Sequence, residues 1–137
     1  MRYLLGVLAY LVPSFPLGYF WHLRVFKASY EALQVYRPEV IIPLGLLAML
    51  LQGFAWAFLY ARLFSGERLG RGALKFGLLA LPLAWSFLVL PVAAKHQMTS
   101  VAGFMKIETA FLALQYLLVS PLMALAWSSA KEGGHAV

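Results

Sequence analysis

The sequence predicts an all-α polytopic membrane protein: an antiparallel bundle of four transmembrane helices, with a short interfacial helix between spans one and two. Hydrophobic residues make up 63% of the 137 residues and charged residues only 12%. Soluble domains are about half apolar and about a quarter charged. The apolar residues also form four runs that are long enough, at 1.5 Å per residue, to cross about 30 Å of hydrocarbon. We therefore expect one integral membrane domain over residues 1–137.

The four predicted spans are residues 3–23, 40–63, 73–94 and 107–127. The first span follows Arg2 and resembles a secretory signal, because a basic residue precedes an apolar run. Pro13 and Pro16, however, lie where a signal peptidase would need small residues, so the sequence favours an uncleaved helix. Proline occurs in every span, and Pro13, Pro16 and Gly18 make the first span the one most expected to bend or break.

The segment 24–37 is predicted to be the interfacial helix. Phe26, Tyr30 and Leu33 recur at helical spacing, while charged and amide side chains occupy the other side. Because Pro38 disfavours a helical conformation of the residue before it, we expect this helix to end at Arg37. A glycine-rich turn should join spans two and three over 65–72, irregular chain should connect spans three and four over 95–106, and 128–137 should be a frayed tail.

Two features are expected to hold the helices together. Small residues at four-residue intervals allow close backbone approach in a membrane, and the predicted packing positions are Gly53, Ala57, Ala61, Ser120 and Ala124. In addition, each span has a polar side chain near its middle, including Gln52 and Gln115. These amides are interpreted first as a hydrogen-bonded layer that fixes helix register, and second as a ligand or ion site.

The distribution of basic residues predicts the orientation of the bundle. The densest cluster flanks the second connection and consists of Arg62, Arg68, Arg71 and Lys75. We expect these residues to meet lipid headgroups and to lie, with both termini, in the cytoplasm. The net charge of +6 is interpreted as suiting anionic lipids rather than nucleic acid, because the chain has no basic stripe with interleaved aromatic residues outside the interfacial segment.

The chemistry candidates are His22, His96 and Glu108, which the topology places at the same membrane face. Glu108 has two interpretations: a helix-start charge paired with Lys95 or Lys106, or a carrier of protons or cations. His22 follows a small-residue face, and His96 could approach it from span three. Two histidines could ligate haem iron or copper, yet no haem-attachment or metalloprotease motif is present. We therefore predict no metal site and no cofactor.

Catalytic motifs are also missing. None of the candidate nucleophiles Ser14, Ser86, Thr99 and Ser100 lies in a GxSxG or SxxK pattern. The segment GERLGRG lacks the ending of a phosphate-binding loop. The chain contains no cysteine, which excludes thiolate sites and disulfides. The sequence therefore predicts a protein that is not an enzyme.

Three segments carry a resemblance to a known kind of protein: FPLGYFWH at 15–22, PEVIIPLGLLAMLLQG at 38–53 and LYARLF at 59–64. Together they resemble small uncharacterised bacterial inner-membrane proteins of the domain-of-unknown-function type. The resemblance covers spans one to three. It implies a four-helix protein of the bacterial inner membrane and supplies no activity, cofactor or catalytic residue.

Three functions follow from these patterns. The first is non-enzymatic binding of a hydrophobic small molecule between kinked helices, or service as an accessory subunit of a larger membrane complex. The second is a small transporter or proton-coupled permease that uses Glu108 and His22, formed as a homo-oligomer. The third is a haem or quinone redox protein that uses His22 and His96. Membrane lipids are expected partners in all three, and nucleic acid in none.

Overall fold

A computed structural model describes residues 1–128. This part of the chain is helical and without strands, and it contains four segments long and apolar enough to span a membrane, which confirms the predicted fold class. The first span is α1 with the π-helical turn that continues it, the second is α3, the third is α4 with α5, and the fourth is α6. The helices are α1 (Arg2–Phe20, continued by the π-helical turn Trp21–Val25), α2 (Lys27–Leu33), α3 (Ile42–Leu63), α4 (Leu69–Leu88), α5 (Leu90–Lys95) and α6 (Val101–Ser128).

The predicted interfacial helix exists but is shorter than expected. It covers Lys27–Leu33 rather than 24–37, and it ends because Gln34 adopts a left-handed backbone conformation (φ 56°) that closes the last turn. Tyr30 and Leu33 on its apolar side are buried in the core of the bundle. The chain then runs without a helix to Ile42, so the expected end at Arg37 was about one turn too late.

The third connection is also shorter than the predicted irregular stretch 95–106. Ser100 is a helix N-cap: its Oγ accepts a hydrogen bond from the Gly103 N–H at 3.0 Å, and α6 therefore begins at Val101. Thr99 donates from its backbone N–H to the Leu33 carbonyl and from its hydroxyl to the Ala32 carbonyl. The short loop thus satisfies the last carbonyls of α2 and ties that helix to the start of α6.

The helices α1 and α6 form an antiparallel pair at the centre of the bundle, since α1 also packs against α3 and α6 also packs against α4. A regular register joins the pair along its whole length. Its contacts are Tyr3 with Trp127, Gly6 with Met123, Ser14 with Gln115, Gly18 with Phe111 and His22 with Glu108.

Small residues make the outer pairs close. A Cβ on Gly6 would lie 2.8 Å from the Cβ of Ala57, and one on Gly77 would lie 2.9 Å from the Oγ of Ser120. The helices α3 and α4 meet instead through large rings, with Phe76 in edge contact with Trp56 and with Tyr60. The bundle is therefore tight around α1 and α6 and filled by aromatic side chains between α3 and α4.

Proline does not break the first span where the sequence suggested. The helix α1 continues through Pro13 and Pro16, and the backbone irregularity follows one turn later as the π-helical turn. The third span is interrupted at Val89, just before Pro91 in the first turn of α5. Membrane helices tolerate internal proline better than soluble helices do, and α1 is continuous through both prolines.

Candidate functional site

Glu108 is a buried carboxylate at the centre of a polar cluster that joins four parts of the chain. It lies on the second turn of α6 and is only 7% exposed. Its Oε1 accepts hydrogen bonds from the Tyr30 hydroxyl at 2.6 Å and the Tyr36 hydroxyl at 2.9 Å, and it lies 3.0 Å from His22 Nε2. We call His22, Tyr30, Tyr36 and Glu108 the Glu108 cluster. The expected pairing of Glu108 with Lys95 or Lys106 does not occur among the described residues, because His22 takes that position.

Hydrogen-bond roles indicate the charge state of the cluster. His22 Nδ1 lies 3.0 Å from the Gly18 carbonyl, which can only accept, so this nitrogen carries a proton. Glu108 Oε1 accepts from the hydroxyls of both Tyr30 and Tyr36, which suits a carboxylate. The contact with His22 Nε2 is an ion pair when that nitrogen is also protonated.

The two tyrosines stay protonated and act as donors. Burial and the neighbouring Glu108 carboxylate raise the pKa of the Tyr30 hydroxyl well above its usual range, and the same two causes raise the pKa of Tyr36. A phenol that resists ionisation keeps its proton for the carboxylate over the whole ordinary pH range. The hydroxyls therefore hold α2 and the following loop onto α6.

The π-helical turn places His22. It widens the backbone at the end of α1 just where the imidazole turns to reach both the Gly18 carbonyl and Glu108, and such turns are frequent at functional sites. The ring is fixed by neighbours on two sides, being stacked on Tyr30 at 4.8 Å and in edge contact with Phe111 at 4.6 Å. His22 is thus positioned both by its own helix and by α2 and α6.

A cleft of about 780 Å³ opens beside the cluster, between the end of α1, α2 with the loop after it, and the start of α3. This volume lies in the ordinary range of small-molecule sites. Its apolar lining residues include Phe15, Ile42, Leu46 and Met49, and its polar lining residues are Tyr19, His22, Lys27, Tyr30, Glu31, Gln34, Tyr36 and Arg37. The lining of the cleft therefore combines hydrocarbon with polar and charged groups.

The mid-depth amides form a second network. Tyr10 donates to Gln52 Oε1 at 2.5 Å, while Gln115 Nε2 donates to the Tyr10 hydroxyl at 3.2 Å and to Ser14 Oγ at 2.8 Å. Ser14, Tyr10 and Gln115 are buried. The hydrogen-bond partners of these side chains are all inside the bundle. This supports the interpretation of the amides as a layer that fixes helix register, and favours it over a ligand site at mid-depth.

The remaining predicted residues separate into three groups. Gly53 and Ala57 are buried against α1, Ser120 and Ala124 are buried on α6, and Ala61 is half-buried. Arg62, Arg68, Arg71 and Lys75 are exposed around the turn between α3 and α4, where Lys75 also pairs with Glu67. His96 is exposed in the loop after α5 and does not contact the ring of His22, so the expected approach of the two histidines was wrong.

Sequence reasoning missed the hydroxyl groups of Tyr10, Tyr30 and Tyr36. Tyr30 was placed on the apolar side of the interfacial helix, and neither of the others was singled out. One signal was available in the sequence. A buried carboxylate needs hydrogen-bond donors, and Tyr30 and Tyr36 lie on the segment that the topology brings to the same membrane face as Glu108.

No group of three His, Asp or Glu side chains suited to a metal ion occurs within residues 1–128. Both ring nitrogens of His22 are already occupied, by Gly18 and by Glu108. A haem or copper ligand needs a free nitrogen lone pair, so His22 would have to give up one of these contacts to act as one.

Fold and site together define the class of this protein: an all-helical membrane protein with a cleft of mixed apolar and polar lining next to a partly buried histidine–glutamate pair. Comparisons of the chain with protein-family models, with curated proteins and with solved structures found no match. The resemblance to small bacterial inner-membrane proteins stays a prediction, and the function has to be argued from the site itself.

Proposed function

We propose that this protein binds a hydrophobic, lipid-like small molecule in the cleft between α1, α2 and α3, without chemical conversion of it. The observation that carries the proposal is the lining of the cleft, which combines apolar side chains such as Leu46 and Met49 with polar ones such as Gln34 and Arg37. Ligand sites combine a mostly apolar lining with a few placed polar groups.

The bilayer is the proposed source of the ligand. Ile41, Ile42 and Leu46 border the cleft, are exposed, and lie at or just before the start of a candidate span. Such side chains face lipid when the helix is inserted. An acyl or isoprenoid chain would therefore enter from the side, without crossing a polar surface.

The binding proposal is tested by filling the cleft. Gly45 lines it, and a Cβ there would meet nothing within 4 Å, so Gly45→Trp adds bulk without a backbone clash. Gly70→Trp is the matched control, because Gly70 also has open space and lies away from the cleft. Native mass spectrometry of protein extracted in mild detergent should show about one bound amphiphile in the wild type and in Gly70→Trp, and none in Gly45→Trp. Equal occupancy in all three would contradict the proposal.

A second candidate function is a small proton-coupled permease, and the contact of His22 with both the cleft and Glu108 favours it. Protonation of Glu108 would break the ion pair and so change the wall of the cleft. In proteoliposomes with a pH gradient, Glu108→Gln should abolish proton-coupled flux, while Glu39→Gln, at an exposed carboxylate outside the lining of the cleft, should keep it. Flux equal to that of empty liposomes for the wild type would contradict this function.

The proposed location is the bacterial inner membrane, with both termini in the cytoplasm. The support is the exposed basic cluster of Arg62, Arg68, Arg71 and Lys75 at the turn between α3 and α4, which the positive-inside rule assigns to the cytoplasmic face. Since the chain contains no cysteine, single variants Gly66→Cys and Glu39→Cys report orientation cleanly. A membrane-impermeant thiol reagent applied to spheroplasts should label only the cysteine at position 39, and the reverse pattern would contradict the assignment.

A further inference from the structure

The charges that line the cleft do not cancel. Its charged side chains are His22, Lys27, Glu31 and Arg37. His22 is paired with Glu108, and Lys27 lies 3.7 Å from Glu31 one helical turn away. Within residues 1–128, Arg37 makes no ion pair and no side-chain hydrogen bond. The lining therefore carries one cation without a counter-charge.

We infer that the cleft selects a membrane lipid whose headgroup carries a net negative charge, with the headgroup at Arg37 and the apolar chain against Ile42 and Leu46. The inference rests on the proposed function, and it adds the charge of the ligand. Arg37 lies in the loop between α2 and α3, shortly before α3 begins. Ile42 and Leu46 are on the first two turns of α3. The proposed headgroup site and the proposed site for the apolar chain thus have the same order as the headgroup and the apolar chain of a lipid.

Arginine suits this role for chemical reasons. Its guanidinium stays charged at every physiological pH and offers a planar fork of donors that fits phosphate oxygens. One basic residue near an anionic lipid surface contributes about 1 kcal/mol, which corresponds to about a fivefold change in affinity. Zwitterionic lipids with the same chains lack the net charge and should bind about that much more weakly.

The experiment compares two lipids that differ only in the headgroup. Phosphatidylglycerol and phosphatidylcholine with identical acyl chains are titrated onto the delipidated protein in detergent, and occupancy is read by native mass spectrometry. The wild type should prefer phosphatidylglycerol about fivefold. Arg37→Gln should remove this preference, while Arg68→Gln, which removes an exposed positive charge at the other end of the bundle, should keep it.

Each of the other possible outcomes would overturn either the charge inference or the proposed function. Equal binding of both lipids that Gly45→Trp abolishes would overturn the charge inference and leave the proposed function in place. Binding that Gly45→Trp does not change would overturn the proposed function. A preference lost equally in Arg37→Gln and Arg68→Gln would show general attraction to a basic surface and overturn the inference. Displacement of phosphatidylglycerol by millimolar inorganic phosphate would identify a free anion as the ligand and overturn it too. Circular dichroism melting establishes that each variant is folded.

Discussion

His22 and Glu108 are 86 positions apart in the chain, and their side chains meet at 3.0 Å to join the end of α1 to the start of α6. The same two helices are joined further along by Ser14 and Gln115 at 2.8 Å. One antiparallel helix pair thus supports both polar networks. The Glu108 cluster borders the cleft. The mid-depth network of Ser14 and Gln115 fixes the register that brings His22 to Glu108.

Loss of the Glu108 carboxylate should destabilise the bundle. Glu108→Gln removes the charge that balances His22 in a buried setting, and we expect the free energy of unfolding to fall by about 2 to 4 kcal/mol. The matched control is Glu31→Gln, since Glu31 forms an exposed pair with Lys27, and its effect should stay below about 0.5 kcal/mol. Reversible unfolding in mixed micelles measures both, and similar losses for the two variants would contradict the role of the cluster.

High pH should weaken the fold through Tyr30. Its pKa is raised in the folded state, so above the ordinary tyrosine value near 10 the unfolded chain releases a proton that the folded chain keeps. The stabilisation is complete below that pH and is lost as the pH rises, at up to about 1.4 kcal/mol per pH unit for the buried Tyr30.

Unfolding measured from pH 9 to 11 checks this expectation. Tyr30→Phe should flatten the decline, whereas Tyr3→Phe, at an exposed tyrosine outside the Glu108 cluster, should leave the slope as in the wild type. A decline as steep in Tyr30→Phe as in the wild type would show that this phenol does not carry the effect.

The mid-depth network should give a measurable coupling energy between Ser14 on α1 and Gln115 on α6. A double-mutant cycle with Ser14→Ala and Gln115→Leu should give a coupling energy of about 0.6 kcal/mol, at most about 2. Ser86 supplies the control, because its hydroxyl donates to the Leu83 carbonyl of its own helix. A cycle of Ser86→Ala with Gln115→Leu should therefore give a value near zero, and equal coupling in both cycles would refute the assignment.

Gly6 should tolerate no side chain. The Cβ that alanine adds would lie 2.8 Å from Ala57 Cβ, so α1 and α3 must separate, at a cost of about 1 to 3 kcal/mol. At Gly45 the same change meets open space, and Gly45→Ala should leave stability unchanged or raise it by up to about 1 kcal/mol. Equal melting temperatures for the two variants would show that the contact at Gly6 does not limit helix approach.

Hydrophobicity alone was enough to predict the four spans, because a bilayer demands long apolar helices whatever the details of packing. It also placed His22 and Glu108 at one face, which follows from counting the crossings. Side-chain pairing was not predictable in the same way. Whether Glu108 meets His22 or Lys95 depends on the rotation of their helices about the helix axes, and between α1 and α6 that rotation is limited by the contacts of Gly18 and Ser14.

Helix ends were missed for local reasons. The start of α6 at Val101 depends on a single hydroxyl, that of Ser100, and on the backbone of Thr99 reaching α2. The cleft escaped prediction because its walls come from three separate segments. Arg37 was predicted only as the end of a helix, since nothing in its neighbourhood in the sequence shows that it lines a cleft together with Ile42 and Leu46.

The most direct test of the account is to map where a lipid sits. A phospholipid with a diazirine in its acyl chain, incorporated into vesicles with the protein and activated by light, labels the residues that its chain touches. The account predicts that labelling concentrates on cleft residues such as Leu46 and Met49, and that Gly45→Trp abolishes this concentration. Labelling of these positions no stronger than that of Leu117, which is 72% exposed on the outside of α6, would contradict it.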